Sequence, residues 1–204
     1  MTTLVMFSGG LDSTAMLVKL LAESAEELRV HHIRMANKEG RDRAESRAVA
    51  SILAYLRARY RPFRSSESGL DFSELEAIPI DYLSIAFVAC QVAIDTPGCN
   101  RIAIGALATD TDIANRSARQ RRVFDEMYAC YRARKLGEAQ VEWVYPVFHI
   151  PKADLAAALP RELVELTWSC RRPVDGFRPC MVCKACRARE GLRPPVGPAE
   201  NRAS

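Results

Sequence analysis

The residues best suited to chemistry lie near the N-terminus, in the loop Ser8-Gly9-Gly10-Leu11-Asp12-Ser13. The apolar run Leu4-Val5-Met6-Phe7 before it predicts a buried strand, and helically spaced apolar residues after it predict a helix. We expect Asp12, Ser13 and Thr14 to cap that helix. Backbone N–H groups in such a glycine turn converge on an anion, and the helix N-terminus adds about half a positive charge. The pattern therefore predicts a phosphate-binding turn.

The loop is not a Walker A motif, because the Gly-Lys-Ser/Thr ending is absent and the first lysine is Lys19. It resembles instead the PP-loop signature Ser-Gly-Gly-x-Asp-Ser of the N-type ATP pyrophosphatases. That resemblance implies cleavage of ATP between the α and β phosphates, with a substrate oxygen activated as its adenylate. The hydroxyls of Ser8 and Ser13 and the loop amides suit pyrophosphate, and Asp12 suits Mg²⁺, which neutralises the leaving charge. An ordinary strand–turn–helix is the alternative interpretation.

Four of the seven cysteines lie close together near the C-terminus with the spacing C-x9-C-x2-C-x2-C. They are Cys170, Cys180, Cys183 and Cys186. Thiolates at such spacing favour tetrahedral Zn²⁺, and four protein ligands leave no open position for water. We therefore predict a structural zinc site that holds the C-terminal segment in place. An iron–sulfur cluster is the rival interpretation, and cysteines without a metal are a third.

The order of these patterns predicts an α/β domain built on a doubly wound parallel sheet at residues 1–165. A strand, a phosphate turn, a helix and a second strand open the chain, and such a βαβ unit pairs its strands in parallel. A zinc-binding segment is expected at 166–190, and a disordered tail rich in proline and glycine at 191–204. Further strands are predicted at 28–35, 101–105 and 141–146, helices at 44–56, from 79, at 116–134 and from 151, and a loop at 65–71.

Composition limits the kind of protein. The 204 residues are 49% hydrophobic, which suits one globular domain with a small appendage. No run approaches the roughly 18 apolar residues that cross a bilayer, and the N-terminal apolar run is used by the first strand rather than by a signal region. We therefore expect a cytoplasmic protein without a membrane partner, in which cysteines bind metal rather than form disulfides. The net charge of +4 does not by itself indicate nucleic acid.

Several further residues are candidates for a functional role, and each has a structural interpretation as well. Asp110 and Asp112 follow the predicted strand at 101–105, where ligands of α/β sheets bind. Lys152 follows a helix-initiating proline, and it either contacts phosphate or is merely solvated. The basic stretch at 57–64 contains four arginines and two aromatic residues, and is either a solvated helix end or a nucleic-acid patch.

The three histidines are candidate general bases. His31, His32 and His149 each lie in or beside a predicted strand, so a packed or surface role is favoured. His31 and His32 face opposite sides of a strand, and they therefore cannot act as a pair.

Taken together, the two end motifs resemble the QueC family, the 7-cyano-7-deazaguanine (preQ0) synthases. The family's Thr-x-Ser-Cys element is matched by Thr167-Trp168-Ser169-Cys170, and its Cys-x-x-Cys-x-x-Cys element by the three later cysteines. Weaker matches are the segment from Pro146 to Lys152, Ile104-Gly105 with Asp110 or Asp112, and the Arg-x-x-x-Glu helix start at Arg41 and Glu45.

The resemblance implies an ATP-dependent carbon–nitrogen ligase that uses ATP, Mg²⁺ and Zn²⁺. The carboxylate of 7-carboxy-7-deazaguanine would be adenylated, ammonia would displace AMP to give the amide, and a second ATP would lead to the nitrile. It implies catalytic roles for Asp12, Ser13 and Lys152. It also implies that ATP or pyrophosphate is bound by Ser8, Gly9, Gly10, Leu11, Asp12, Ser13 and Gly105. Asp110, Asp112 and Arg121 would belong to a substrate or Mg²⁺ loop.

The chain departs from the family on the acceptor side. Ile78-Pro79-Ile80-Asp81-Tyr82 stands where the family has Val-Pro-x-Arg-Asn, and residues 117–121 replace its Tyr-Pro-Asp-Cys-Arg segment. The resemblance makes ammonia the first acceptor to consider. The altered acceptor side fits a second one, a protein amine, as in QueC-like proteins of antiviral operons. A PP-loop tRNA-modifying enzyme and a non-catalytic nucleotide-sensing module are further alternatives. The family often dimerises, so a homodimer is expected, whereas a nucleic-acid partner is not.

Overall fold

The computed structural model describes residues 1–110, 112–135 and 141–192 of the chain. In this part of the chain, five parallel strands form one sheet. The strands are β1 Thr2–Met6, β2 Glu27–Ala36, β3 Arg64–Asp71, β4 Cys99–Ile104 and β5 Glu142–Val144. Their spatial order is β3-β2-β1-β4-β5.

Helices cover both faces of the sheet. They are α1 Leu11–Glu23, α2 Asp42–Arg57, α3 Asp81–Ile94, α4 Ile113–Lys135, α5 Lys152–Ala158, α6 Arg161–Leu166 and α7 Lys184–Glu190. One hydrophobic core contains side chains of α1, α2, α5 and α6, and the other contains side chains of α3 and α4. Val5 of β1 packs in the first core, whereas Leu4 and Met6 pack in the second, because side chains alternate along a strand. The predicted α/β class with a doubly wound parallel sheet is confirmed.

The strand order reverses beside β1. The chain runs outward from β1 through β2 to β3, then returns to place β4 on the other side of β1. Met6 at the end of β1 pairs with Ile104 at the end of β4. The loops that leave these two strands therefore diverge from neighbouring points, and such a crevice is where open α/β sheets bind ligands.

Strand β3 was predicted wrongly as a loop. It pairs with β2 over eight residues, from Arg29 opposite Arg64 to Ala36 opposite Asp71. Serine and glycine in this segment have weak strand preference, so the sequence itself does not indicate a strand. The long free edge of β2 supplies the backbone hydrogen-bond partners that make this segment extended.

The C-terminal segment has little regular structure beyond α6. It contains an isolated antiparallel bridge between Val174 and Arg178, and the short helix α7. The predicted disordered tail at 191–204 lies outside the described residues except for 191 and 192, which form a turn. Among the described residues, no helix combines the length and apolar character that a bilayer crossing needs.

Candidate active site

The predicted phosphate loop lies directly after β1 and packs tightly against α2. Gly9 has a φ of +74°, which L-residues rarely adopt. A Cβ at Gly9 would lie 2.9 Å from Cγ2 of Val49 and 3.5 Å from the carbonyl oxygen of Glu45, both in α2. This position therefore requires glycine for both its backbone conformation and its contact with α2.

The expected side-chain cap of α1 is absent from the structure, and that prediction was wrong. The N-cap is Gly10, which makes no side-chain cap hydrogen bond. The hydroxyls of Ser13 and Thr14 instead donate backward to the Gly10 carbonyl oxygen, at 3.1 and 2.8 Å. Asp12, Ser13 and Thr14 already lie within the first turn, so they are too late to cap its amides. The first-turn N–H groups therefore remain available to an anion.

Ser8 and Ser13 lie close together, as binding of the same phosphate group would require. Their hydroxyl oxygens lie 3.0 Å apart, and the Gly10 amide donates to the Ser8 hydroxyl at 3.3 Å. Ser13 is 4% exposed. The two hydroxyls therefore form a fixed polar pair beside the N-terminus of α1.

Gly105, the residue directly after β4, contacts this loop from the opposite side. A Cβ at Gly105 would lie 2.8 Å from both the backbone nitrogen and the Cα of Ser13. No L-side chain fits there unless the loop moves. The predicted association of Gly105 with the loop is thus a backbone-to-backbone contact.

Asp12 and Lys152 form an ion pair across the site, although 140 positions separate them in sequence. The Lys152 Nζ lies 3.0 Å from Asp12 Oδ2. Burial raises the pKa of Asp12 above its ordinary value, the charge and hydrogen bond of Lys152 oppose that rise, and the charge of Asp110 adds to it. The second oxygen, Oδ1, is buried and has no hydrogen-bond partner among the described residues. An unpaired carboxylate oxygen beside a phosphate loop fits a Mg²⁺ ligand.

The three residues of the predicted substrate or Mg²⁺ loop lie in different surroundings. Asp110 is close enough to influence Asp12, and its Oδ2 accepts a hydrogen bond from the Leu107 amide at 2.9 Å. Asp112 accepts from Asn115 at 2.6 Å, just before α4. Arg121 pairs with Asp125 at 2.8 Å on α4. Of the three, Asp110 is the one that the structure connects to Asp12.

A small cavity of about 140 Å³ opens where the strand order reverses. Ser8, Ser13 and Gly105 line it from the two loops. Its other walls are formed by Met6, Phe7, His31, Ile33, Met35, Arg41, Glu45, Asp81, Ile85 and Ile104. On the far side of the loop, Leu11 and Lys152 line a larger cleft of about 890 Å³, which has many alanines in its walls. The loop is therefore accessible from two sides.

His31 lies on the wall of the small cavity in a neutral polar setting. Its ring nitrogens lie 2.8 Å from the Ser66 hydroxyl and 3.0 Å from the Ser68 hydroxyl, both in β3. Burial lowers the pKa of His31 to about 4, with Arg29 adding to the effect. His32 lies on the other face of β2, between the Phe7 carbonyl and the Ser46 hydroxyl, as strand alternation predicts. The serine contacts were missed because β3 was assigned as a loop.

A largely buried ion-pair cluster, whose pairing the sequence did not predict, borders the same cavity. We call Glu39, Arg41, Glu45, Asp81 and Arg171 the charged cluster. Arg41 pairs with all three carboxylates at 2.7–2.8 Å, and Arg171 pairs with two of them at 3.0 and 3.4 Å. The i, i+4 spacing of Arg41 and Glu45 was a signal for part of it, whereas the other members come from distant segments.

The four cysteines of the C-terminal group come together as predicted. Their sulfur atoms all lie within 4.8 Å of one another, and those of Cys180 and Cys186 are 4.0 Å apart. Three backbone amides donate to the sulfurs of Cys170, Cys180 and Cys183 at 3.3–3.4 Å. Such donors favour thiolates, which are the metal-binding form. The group can therefore share one metal ion.

The segment that carries these cysteines is attached to the phosphate loop. The Trp168 amide donates to the Gly9 carbonyl oxygen at 2.9 Å. Arg189 of α7 donates to the carbonyl oxygens of Thr167, Val164 and Glu165 at the end of α6. The guanidinium of Arg47 in α2 lies 4.1 Å from the centre of the Phe177 ring. Metal site and phosphate loop are thus parts of one packed unit.

The sheet order, the glycine-containing loop after β1 and the crevice beside it define a doubly wound α/β fold. No protein-family model matches the sequence, and no curated protein matches it. Among solved structures, the chain is similar to the U34-tRNA thiolase NcsA from Methanococcus maripaludis with its [4Fe-4S] cluster, with a TM-score of 0.52 and 16% identity. The match covers 94% of this chain, which spans 63% of NcsA. At this identity the likeness shows a shared fold.

Proposed function

We propose that this chain is an ATP-dependent enzyme that activates a carboxylate as its acyl adenylate and passes the acyl group to an amine. The observation that carries the proposal is the arrangement around Asp12. Its paired oxygen contacts Lys152, its unpaired oxygen is buried, and the hydroxyls of Ser8 and Ser13 lie beside an uncapped helix N-terminus. Hydrogen-bond donors for an anion, a carboxylate and a lysine thus lie together at the N-terminus of α1. This combination can stabilise the negative charge of pyrophosphate as it leaves.

Each group has a distinct task in this proposal. The two serine hydroxyls and the first amides of α1 hold the β and γ phosphates of ATP. Asp12 holds Mg²⁺, which when bound neutralises the charge on the leaving pyrophosphate. Lys152, positioned by Asp12, adds a positive charge on the side of the larger cleft.

The small cavity suits a flat heterocycle. Ile33, Met35 and Ile85 give it apolar walls, and His31 gives it a neutral polar edge. A planar ring fills such a space with few rotatable bonds to immobilise. Together with the QueC-like motifs at both ends of the chain, this supports 7-carboxy-7-deazaguanine as the carboxylate, with its amide or nitrile as product.

We assign Zn²⁺ a structural role at the four cysteines. A tetrahedral zinc with Zn–S bonds of about 2.3 Å separates its sulfur atoms by about 3.8 Å, close to the spacing observed here. A [4Fe-4S] cluster inserts its own iron and sulfide atoms between the thiolates and holds them further apart. The sulfur spacing therefore favours a single ion.

A tRNA-modifying enzyme is the second candidate, supported by the fold shared with the tRNA thiolase NcsA. The other three cysteines do not form a second metal-binding group within the described residues. Cys90 and Cys99 are buried, Cys130 is exposed, and none of them belongs to the group of four. Binding of tRNA with a steep salt dependence would favour this candidate over the first.

The decisive experiment combines zinc-loaded protein, Mg-ATP, 7-carboxy-7-deazaguanine and ammonium, with mass spectrometry for AMP and products. We expect AMP with the amide or nitrile, lost in Asp12→Ala and kept in Asp154→Ala, a matched exposed carboxylate on α5. AMP and an acyl adenylate without amide or nitrile would direct the search to a protein amine. No AMP from the carboxylate would contradict the proposal, and AMP formed only with tRNA would replace it with the second candidate.

A further inference from the structure

The large hydrophobic side chains that are exposed are concentrated in two places. Within the described residues, all of them except Met1 lie either between β3 and the middle of α3 or in the cysteine-bearing segment. The first group is Leu75, Ile78, Ile80 and Phe87, and the second is Val174, Phe177, Met181 and Val182. Apolar side chains concentrated in this way mark a surface that contacts another molecule.

The two groups lie in segments of opposite charge. Residues 71–81, which we call the acidic loop, contain four carboxylates and no basic residue. Residues 171–187, which we call the basic segment, contain five basic residues and one carboxylate. Zinc with four thiolates would carry a net charge of about −2, so the basic segment stays positive with its metal bound. The two surfaces therefore complement each other in charge, and both have apolar area to bury.

Both surfaces present charged side chains to solvent. Glu74 and Glu76 are exposed on the acidic loop, and Glu76 pairs with Lys38 at 2.8 Å while its side chain stays 94% exposed. Arg172 and Lys184 are exposed on the basic segment. These four side chains can reach a partner without the loss of any buried contact.

The two surfaces adjoin each other at the edge of the small cavity. Asp81 ends the acidic loop and Arg171 begins the basic segment, and the two side chains pair at 3.4 Å. When two copies face each other across a two-fold axis, adjoining surfaces of this kind are exchanged. The acidic loop of each copy then lies over the basic segment of the other, and the same contact is made twice.

We propose that the protein forms a two-fold dimer in which the acidic loop of one protomer docks on the basic segment of its partner, and the reverse. The inference does not depend on which reaction the enzyme catalyses. The exposed apolar side chains form the centre of each contact and the charges form its rim, as in other protein interfaces. The two segments contain 11 and 17 residues, and a stable interface uses roughly 20–30 residues of each partner. Because Asp81 lines the small cavity, the partner lies beside the candidate active site.

Sedimentation equilibrium of the zinc-loaded full-length protein tests the contact. We expect a mass of twice the 22.7 kDa chain. One variant reverses the acidic loop with Glu74→Lys and Glu76→Lys, and the other reverses the basic segment with Arg172→Glu and Lys184→Glu. Each should weaken dimerisation by at least about 100-fold, because like charges then meet in both contacts.

Mixing the two reversed variants separates a contact between copies from one within a chain. An equimolar mixture should recover a dimer that contains one copy of each, since both contacts again join opposite charges. A loop that folded back on its own chain would give no such recovery. The control Glu23→Lys with Glu162→Lys reverses two exposed carboxylates on α1 and α6, and it should dimerise like the wild type.

A variant without a change of charge keeps the test valid if the reversals near the cysteines reduce zinc binding. Val182→Ser removes an apolar side chain that is 68% exposed in the single chain. It should weaken the dimer by at least about tenfold, because that side chain is buried in both contacts.

Three results overturn the inference. The first is a single-chain mass for the wild type at every protein concentration. The second is a dimer that the reversed variants and Val182→Ser form as tightly as the wild type, since another surface then joins the copies. The third is a mixture of folded, zinc-containing reversed variants that stays monomeric.

Discussion

At the scale of single residues, the phosphate loop depends on two positions without a side chain. Gly9 combines a left-handed backbone with contact to Val49, and Gly105 lies against the backbone of Ser13. The second constraint is the stricter one, because backbone atoms cannot rotate away as the end of a side chain can. Because Gly105 has no Cβ, the backbone of Ser13 at the start of α1 can lie directly against it.

Gly105→Ala tests this constraint. The new Cβ meets Ser13 at 2.8 Å, so the loop must shift, and we expect a loss of about 1–3 kcal/mol in unfolding free energy. ATP binding should weaken by at least about tenfold, since a small displacement of anion donors is costly. Urea unfolding and calorimetric titration with Mg-ATP measure the two effects.

Gly191→Ala is the control for that substitution. Gly191 has an ordinary φ of −68°, and its nearest contact to an added Cβ is the Ala188 carbonyl at 3.8 Å. Its stability should stay within about 0.5 kcal/mol of the wild type. Unchanged nucleotide binding in Gly105→Ala would show that the loop does not use this contact.

At the scale of elements, β3 has a role beyond closing the edge of the sheet. Its exposed and half-buried residues alternate, and Ser66 and Ser68 share the half-buried face that meets His31. A buried neutral imidazole needs partners for both ring nitrogens. Strand β3 therefore sets the orientation of a cavity-lining histidine on its neighbour β2.

Removing both serine hydroxyls should leave the imidazole without partners. We expect the double variant Ser66→Ala, Ser68→Ala to lose about 1–3 kcal/mol of stability in urea unfolding. Ser65→Ala on the exposed face of the same strand should lose less than about 1 kcal/mol, although it removes the hydroxyl that accepts a solvent-exposed hydrogen bond from Arg57. Equal effects from the two faces would contradict the assigned role of β3.

At the scale of the whole molecule, the cysteine-bearing segment packs against the candidate active site. Trp168 bonds to the backbone of Gly9, and Arg171, directly after Cys170, pairs with Glu39 and Asp81 of the charged cluster. The segment has little regular structure beyond the short helix α7, so a metal that joined its four cysteines would add to its order. Metal content and site geometry should therefore be coupled.

Chelation of the metal tests that coupling by hydrogen exchange. In metal-free protein we expect faster amide exchange across 167–192 and also across 8–16, while β1 and β4 stay protected. Cys183→Ser should reproduce the pattern, and Cys130→Ser, an exposed cysteine outside the group, should match the wild type. Elemental analysis should find one zinc per chain; iron at several atoms per chain would contradict the single-ion assignment.

Features that depend on a short stretch of neighbouring residues could be predicted from the amino-acid sequence. The strand, glycine turn and helix around 4–21 are local, as are the two C-x2-C spacings. The structure has a strand and a helix on either side of that turn, and it brings the cysteines together. The βαβ order was enough to predict a parallel, doubly wound sheet, because its connections allow few alternatives. Such patterns predict local structure because residues close in sequence directly influence the backbone conformation and burial of one another.

Contacts between segments far apart in the sequence could be identified only from the folded structure. The contact of Lys152 with Asp12, the formation of β3 on the edge of β2 and the assembly of the charged cluster all join residues far apart in sequence. Even the helix cap failed as a local prediction. The helix begins earlier than expected, so the hydroxyls of Ser13 and Thr14 lie inside its first turn and donate to the Gly10 carbonyl. Long-range contacts depend on how helices and strands pack in three dimensions, and no short window of sequence contains that information.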